Sequence, residues 1–154
     1  MSSLGRLIEQ EISLLQRFVE QLELEQKALA AAQAEPLEAI ARGKIELIES
    51  INGLEQERQR FTGGVAQTGD RSGMQSWIAA NPNHPQVAAL WQQVMSLTQK
   101  AQMLHEQNGQ LLTLLSNQAS EALNVLRRLQ QGPSLYGSDG QTASASSSRI
   151  VDAA

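Results

Sequence analysis

The stretch VAALWQQVMSLTQKAQMLHEQNGQLLTLLSNQASEALNVLRRL, Val87 to Leu129, decides the fold. In alternating steps of three and four it presents Val87, Leu90, Val94, Leu97, Ala101, Leu104, Asn108, Leu111, Leu115, Gln118, Ala122, Val125 and Leu129. Every place is apolar except Asn108 and Gln118. A seam of that period, free of proline and charge, specifies one long helix packed on other helices. At 1.5 Å per residue, about 45 residues make a rod roughly 67 Å long. That exceeds what a compact chain of this size needs, so part of the rod is expected to extend past the elements it packs on.

Upstream of the rod, Asn81-Pro82-Asn83-His84-Pro85 forms an elbow, with Asn83 or His84 as cap and Pro85 in the first helical turn. Met74 to Ala80 reads as a short helix carrying Trp77, and Trp77 and Trp91 are placed to clamp the elbow onto the core. Thr62 to Gly73 is glycine-rich and reads as a connection. Gly63-Gly64 lacks both the spacing and the lysine of a phosphate loop.

Two helices precede it. Leu4, Ile8, Ile12, Leu15, Val19, Leu22 and Leu29 give the first, from Leu4 to about Ala34, with Gln26 filling the missing place in the repeat. Glu35-Pro36 breaks the chain. Ile40, Leu47, Leu54 and Phe61 then recur every seven residues and define a second helix from Pro36 to about Phe61. The short connection predicts an antiparallel hairpin. The fold class is therefore all-α: an antiparallel helical hairpin packed on one long C-terminal helix, with a disordered tail. Residues 1–131 form the bundle, with helices at about 4–34, 36–61, 74–80 and 85–131. Gly132-Pro133 is expected to stop the last helix, leaving 132–154 as a flexible Ser/Ala-rich tail that contains Leu135-Tyr136-Gly137-Ser138-Asp139-Gly140.

Composition excludes several classes. Twelve Lys and Arg stand against 16 Asp and Glu, for a net charge of −4. With no basic stripe and few aromatic residues, binding to nucleic acid is not expected. There is no cysteine, which suits a reducing cytoplasm. Neither a signal peptide nor an apolar run long enough to enter a membrane is visible. No catalytic constellation stands out. His84 and His105 lie far apart in sequence, His105-Glu106 does not continue into a zinc-binding pattern, and Glu9, Glu11, Glu23 and Glu25 read as solvated. Neither metal nor cofactor is expected.

What the chain offers instead is apolar surface. From Leu111 onward a second stripe, Leu112, Ala119 and Leu126, repeats in sevens beside the first, and Leu114 and Leu123 fill in. One stripe can be covered by the hairpin; the other has no partner within the chain. An uncovered stripe on a soluble chain marks a binding site, suited to an amphipathic helix from a partner. Weak self-association through the same stripe is the alternative.

The hairpin, the leucine-rich last helix with Asn108-Gly109-Gln110-Leu111-Leu112, and the tail motif at Leu135 to Gly140 together resemble the FlgN family of flagellar type III export chaperones. The resemblance implies a cytoplasmic chaperone that binds the C-terminal helices of flagellar hook-associated proteins and delivers them to a component of the export gate. By position, Leu111, Leu112, Leu115, Ala119, Leu123 and Leu126 would receive the cargo helix, and Tyr136 would contact cargo or gate. A self-associating coiled-coil protein, or a chaperone for a different secretion client, is the rival reading.

Overall fold

The hydroxyl of Ser2 accepts a hydrogen bond from the Gly5 amide at 3.1 Å, satisfying one of the orphan donors that begin a helix. From there the computed structural model describes residues 2–63 and 70–137, with side chains for 2–63 and 73–131. The described elements are α1 (Ser3–Ala30), α2 (Leu37–Phe61), α3 (Asp70–Ala80) and α4 (Pro85–Gly137). No strand occurs among the described residues.

α1 buries the stripe its periodicity defines: Leu4, Ile8, Ile12, Leu15, Val19, Leu22 and Leu29 all lie in the core. α2 runs antiparallel to it, because Glu11 meets Arg58 at one end while Glu25 meets Lys44 at the other. The part of α4 up to Leu112 runs parallel to α1. Leu4, Ile8, Ile12 and Leu15 cluster with Val87, Trp91 and Val94, and further along Val19 and Leu22 cluster with Ala101 and Leu104. α3 adds fully buried Met74 and half-buried Trp77 and Ile78 to the first cluster. The Trp77 ring also lies 5.8 Å from that of His84, and its carbonyl accepts from Asn81 Nδ2 at 2.8 Å, so the elbow is anchored from both sides.

Several boundaries differ from the sequence reading. α1 ends at Ala30 rather than near Ala34. Ala32 adopts φ +53°, the Gln33 amide bonds back to the Ala28 carbonyl, and the Ala32 amide to that of Leu29. That pair of bonds is a Schellman motif, built here on an alanine where glycine is usual. α3 begins at Asp70, a turn earlier than expected. α4 does not stop at Gly132-Pro133 but continues to Gly137; a proline inside a helix forfeits one backbone hydrogen bond, which a long helix can bear. Leu135 to Gly137 thus belong to α4, and the expected disordered tail from Ser138 lies outside the described residues.

By compactness the chain divides into Met1–Leu112 and Thr113–Ala154, so the division falls inside α4. The sequence pattern places residues 1–131 in one helical bundle.

On α2, Ile40 and Leu47 are buried, but Phe61 is 52% exposed and Arg58 occupies a core position instead. Glu11 and Glu25 are not the solvated residues their sequence context suggests. Glu11 is 2% exposed. Arg58 Nε donates to its two carboxylate oxygens at 3.1 and 2.9 Å, and the guanidinium carbon sits 4.6 Å over the Trp91 ring. Glu25 accepts from Lys44 Nζ at 2.6 Å. Both carboxylates lie where α1 faces its neighbours, and a buried charge is tolerable only with such partners.

Candidate partner-binding surface

The seam of α4 is covered as far as Asn108. Val87, Val94, Ala101 and Leu104 are buried, and Asn108 itself is 3% exposed. Its Nδ2 donates to the Leu22 carbonyl at 2.9 Å and to Glu25 Oε1 at 2.8 Å. Through Glu25 and Lys44 this links α4, α1 and α2 in one polar chain. Asn108 Oδ1 is buried with no hydrogen-bond partner among the described residues. A polar residue at a seam position costs stability but pins the register of the helices it joins.

Past Asn108 the same apolar pattern continues while coverage fades. Leu111 and Leu115 are half-buried, Leu112 is 56% exposed, and Ala119 is exposed. Leu123, Leu126 and Leu129 are 52, 57 and 67% exposed, and Leu114 and Val125 also stand in water.

At 3.6 residues per turn the side chains of α4 in the unit from Thr113 sort into strips. Leu115, Ala119, Leu123 and Leu126 fall within about 80° of one another, and Leu114, Gln118, Ala122, Val125 and Leu129 within a neighbouring arc of about 80°. Together they occupy about half the circumference. The remainder carries Thr113, Ser116, Asn117, Ser120, Glu121, Asn124, Arg127 and Arg128. Leu111, half-buried, and Leu112, 56% exposed, close the preceding unit. Tyr136 lies on the backbone of α4 near its end; its side chain is outside the described set, so it is not joined to the strips here.

Chemically, these strips can bury apolar side chains of another helix and do little else. Among the described residues, no group of three or more His, Asp or Glu could hold a metal, and no helix is long and apolar enough to cross a membrane. What the sequence reading missed is the polar pinning upstream: Glu11, Arg58 and Glu25. The available signal was positional, since Glu11 sits between Ile8 and Leu15 at core spacing and Arg58 follows Leu47 and Leu54 on α2.

Residues 1–144 match a family model described as FlgN protein. Curated proteins named flagella synthesis protein FlgN are similar over nearly their whole length. That of Salmonella typhimurium is 30% identical over 145 residues, covering 93% of this chain and 92% of the relative. That of Proteus mirabilis is 28% identical over 143 residues, covering 92% and 90%, and that of Escherichia coli is 25% identical over 145, covering 93% and 92%. No solved structure matches.

Proposed function

We propose, because this chain belongs to the FlgN family, that it acts in flagellar assembly as a cytoplasmic export chaperone for hook-associated proteins. The C-terminal segment of such a client forms a helix on the leucine strips of α4, is thereby kept from assembling, and is delivered to the type III export gate. Leu115, Ala119, Leu123 and Leu126 receive the client's apolar side chains. Leu111 and Leu112, at the end of the preceding unit, are further candidate contacts of the client, and Tyr136 contacts client or gate. No bond is made or broken in this role.

The observation that carries the reading is the exposure of Leu112, Leu123 and Leu126, each more than half open to water. A client segment that orders only on binding gives back part of the gain as conformational entropy, which keeps the complex releasable. The face adjoining the strips carries Ser, Thr and Asn, with Glu121, Arg127 and Arg128 as its charged residues.

Calorimetric titration with the C-terminal segment of a hook-associated protein tests this. Leu123→Asp/Leu126→Asp should abolish the heat of binding while leaving helical content unchanged. Undiminished binding by that variant would remove the site. Self-association of α4 is the rival, and sedimentation across concentration separates the two: a stable dimer indifferent to client peptide favours the rival.

A further inference from the structure

The apolar surface of α4 in the unit from Thr113 is wider than one helix can cover. Leu123 marks one edge of the two strips and Leu114 the other, about 180° apart around the helix. A helix packed on one neighbour buries a stripe of about 100°, and a strict two-stranded seam is narrower still. Leu123 and Val125, 52 and 49% exposed, point about 160° apart. One straight guest helix lying over the first therefore leaves the second in water.

The unit Met1–Leu112 gives the measure of what fills such an arc. There the buried and half-buried apolar residues of α4 also span about 180°, from Leu104 at one edge to Met95 at the other. More than one helix closes that arc. Val87, Trp91 and Val94 share a cluster with Leu4, Ile8 and Ile12 of α1 and with Met74 of α3. Arg58 of α2 also lies over the Trp91 ring at 4.6 Å. In this protein, an apolar half-cylinder on a helix is a place with at least two neighbours. A second copy of the chain fits poorly, because it would bring an equally wide arc of its own and leave half of each uncovered.

Charge distinguishes the two edges. Arg127 lies about 40° outside Leu123, with Ser116 and Ser120 beside it and no acid in that sector. It is exposed and forms no ion pair among the described residues. The other edge carries Glu121 and Arg128 within about 40° of Leu114, charges of opposite sign. Resting on the reading of α4 as the client surface, we infer that the client supplies two amphipathic helical segments. Each packs on one strip, so that three helices close a common core. The segment on the strip of Leu123 carries Asp or Glu on the flank facing Arg127.

The test uses the full chain and the complete C-terminal segment of a hook-associated protein, with p-benzoylphenylalanine placed at Leu123 in one preparation and at Val125 in another. Photocrosslinking and mass spectrometry should join the two positions to two different stretches of the client, separated by a turn. In methyl NMR spectra the complete segment should shift Leu123 and Leu126 together with Leu114, Val125 and Leu129. A peptide spanning either crosslinked stretch alone should shift one of those sets only and bind about a hundredfold more weakly. Arg127→Glu should weaken binding of the complete segment about tenfold at low salt, with the difference narrowing as salt rises, and Arg127→Lys should leave it unchanged. Both positions crosslinking to one stretch, a single stretch binding as tightly as the whole, a complex holding two copies of this chain, or affinity indifferent to Arg127→Glu would each overturn the inference and leave the client reading standing. A segment that does not bind at all would overturn both.

Discussion

Replacing Arg58 by alanine removes the charge that the Glu11 carboxylate faces in the core. The two side chains are 4 and 3% exposed, and the guanidinium bonds both carboxylate oxygens while lying over Trp91. Removing one member of a buried ion pair costs about 3–5 kcal/mol, because the other charge stays desolvated. Loss of the contact with the Trp91 ring adds about 1 kcal/mol. One opposing effect exists: Arg58 Nη1 is buried with no hydrogen-bond partner among the described residues, and deleting it relieves about 1–2 kcal/mol. The net expectation is about 3 kcal/mol of destabilisation, or roughly 12 °C in melting temperature for a unit near 100 residues. Urea unfolding followed through tryptophan emission is the assay, since Trp91 lies directly under the substituted group. The double change Glu11→Leu/Arg58→Met replaces both charges with apolar bulk and should return stability to within about 1 kcal/mol of the parent. An Arg58→Ala chain less than 1 kcal/mol weaker, or a double variant as weak as the single, would refute the reasoning that these charges are desolvated partners.

Ala32→Gly should stabilise the chain by about 0.5–1 kcal/mol in thermal unfolding. The left-handed conformation costs an alanine about 1–2 kcal/mol, of which roughly half is returned as the greater unfolded-state freedom of glycine. Ser2→Ala should cost about 1 kcal/mol through loss of the cap on the Gly5 amide, read as fraying of α1 by hydrogen exchange. Asn108→Ala should lower the urea midpoint by an amount equivalent to about 1–2 kcal/mol, as the bonds to Leu22 and Glu25 are lost. Asn108→Leu should cost less, since the seam then closes with apolar bulk. Leu123→Asp/Leu126→Asp, by contrast, should move stability by less than about 0.5 kcal/mol, because both residues already stand in water.

The legible part of this chain is the part governed by helical period. The stripe from Leu4 to Leu29 is visible in the letters and buried in the fold, and so are Val87, Val94, Ala101 and Leu104 of the seam, with Leu90 and Leu97 half-buried beside them. Length and period together lead to the expectation of an uncovered stripe from Leu111 onward, but not to the exposure of Val125 and Leu129 on the stripe expected to be covered, which is seen only in three dimensions. Glu11 and Arg58 stand at core spacing in the letters, but that they meet as a buried pair, and that Glu25 meets Lys44, is seen only when the helices are laid together. Ala32 shows the same limit in the backbone, for a left-handed alanine leaves no trace in composition. Gly132-Pro133 reads as a stop because proline disfavours helix, but a long helix can absorb one missing bond. On the candidate surface, the strips themselves were legible as leucine spacing.

Hydrogen exchange of residues 113–131, with and without the C-terminal segment of a hook-associated protein, tests the role of the leucine strips most directly. If a guest helix covers Leu115, Leu123 and Leu126, amide protection should rise across that stretch on binding and return to its starting level in Leu123→Asp/Leu126→Asp. A client that binds while this stretch keeps its unbound exchange rates would contradict the account.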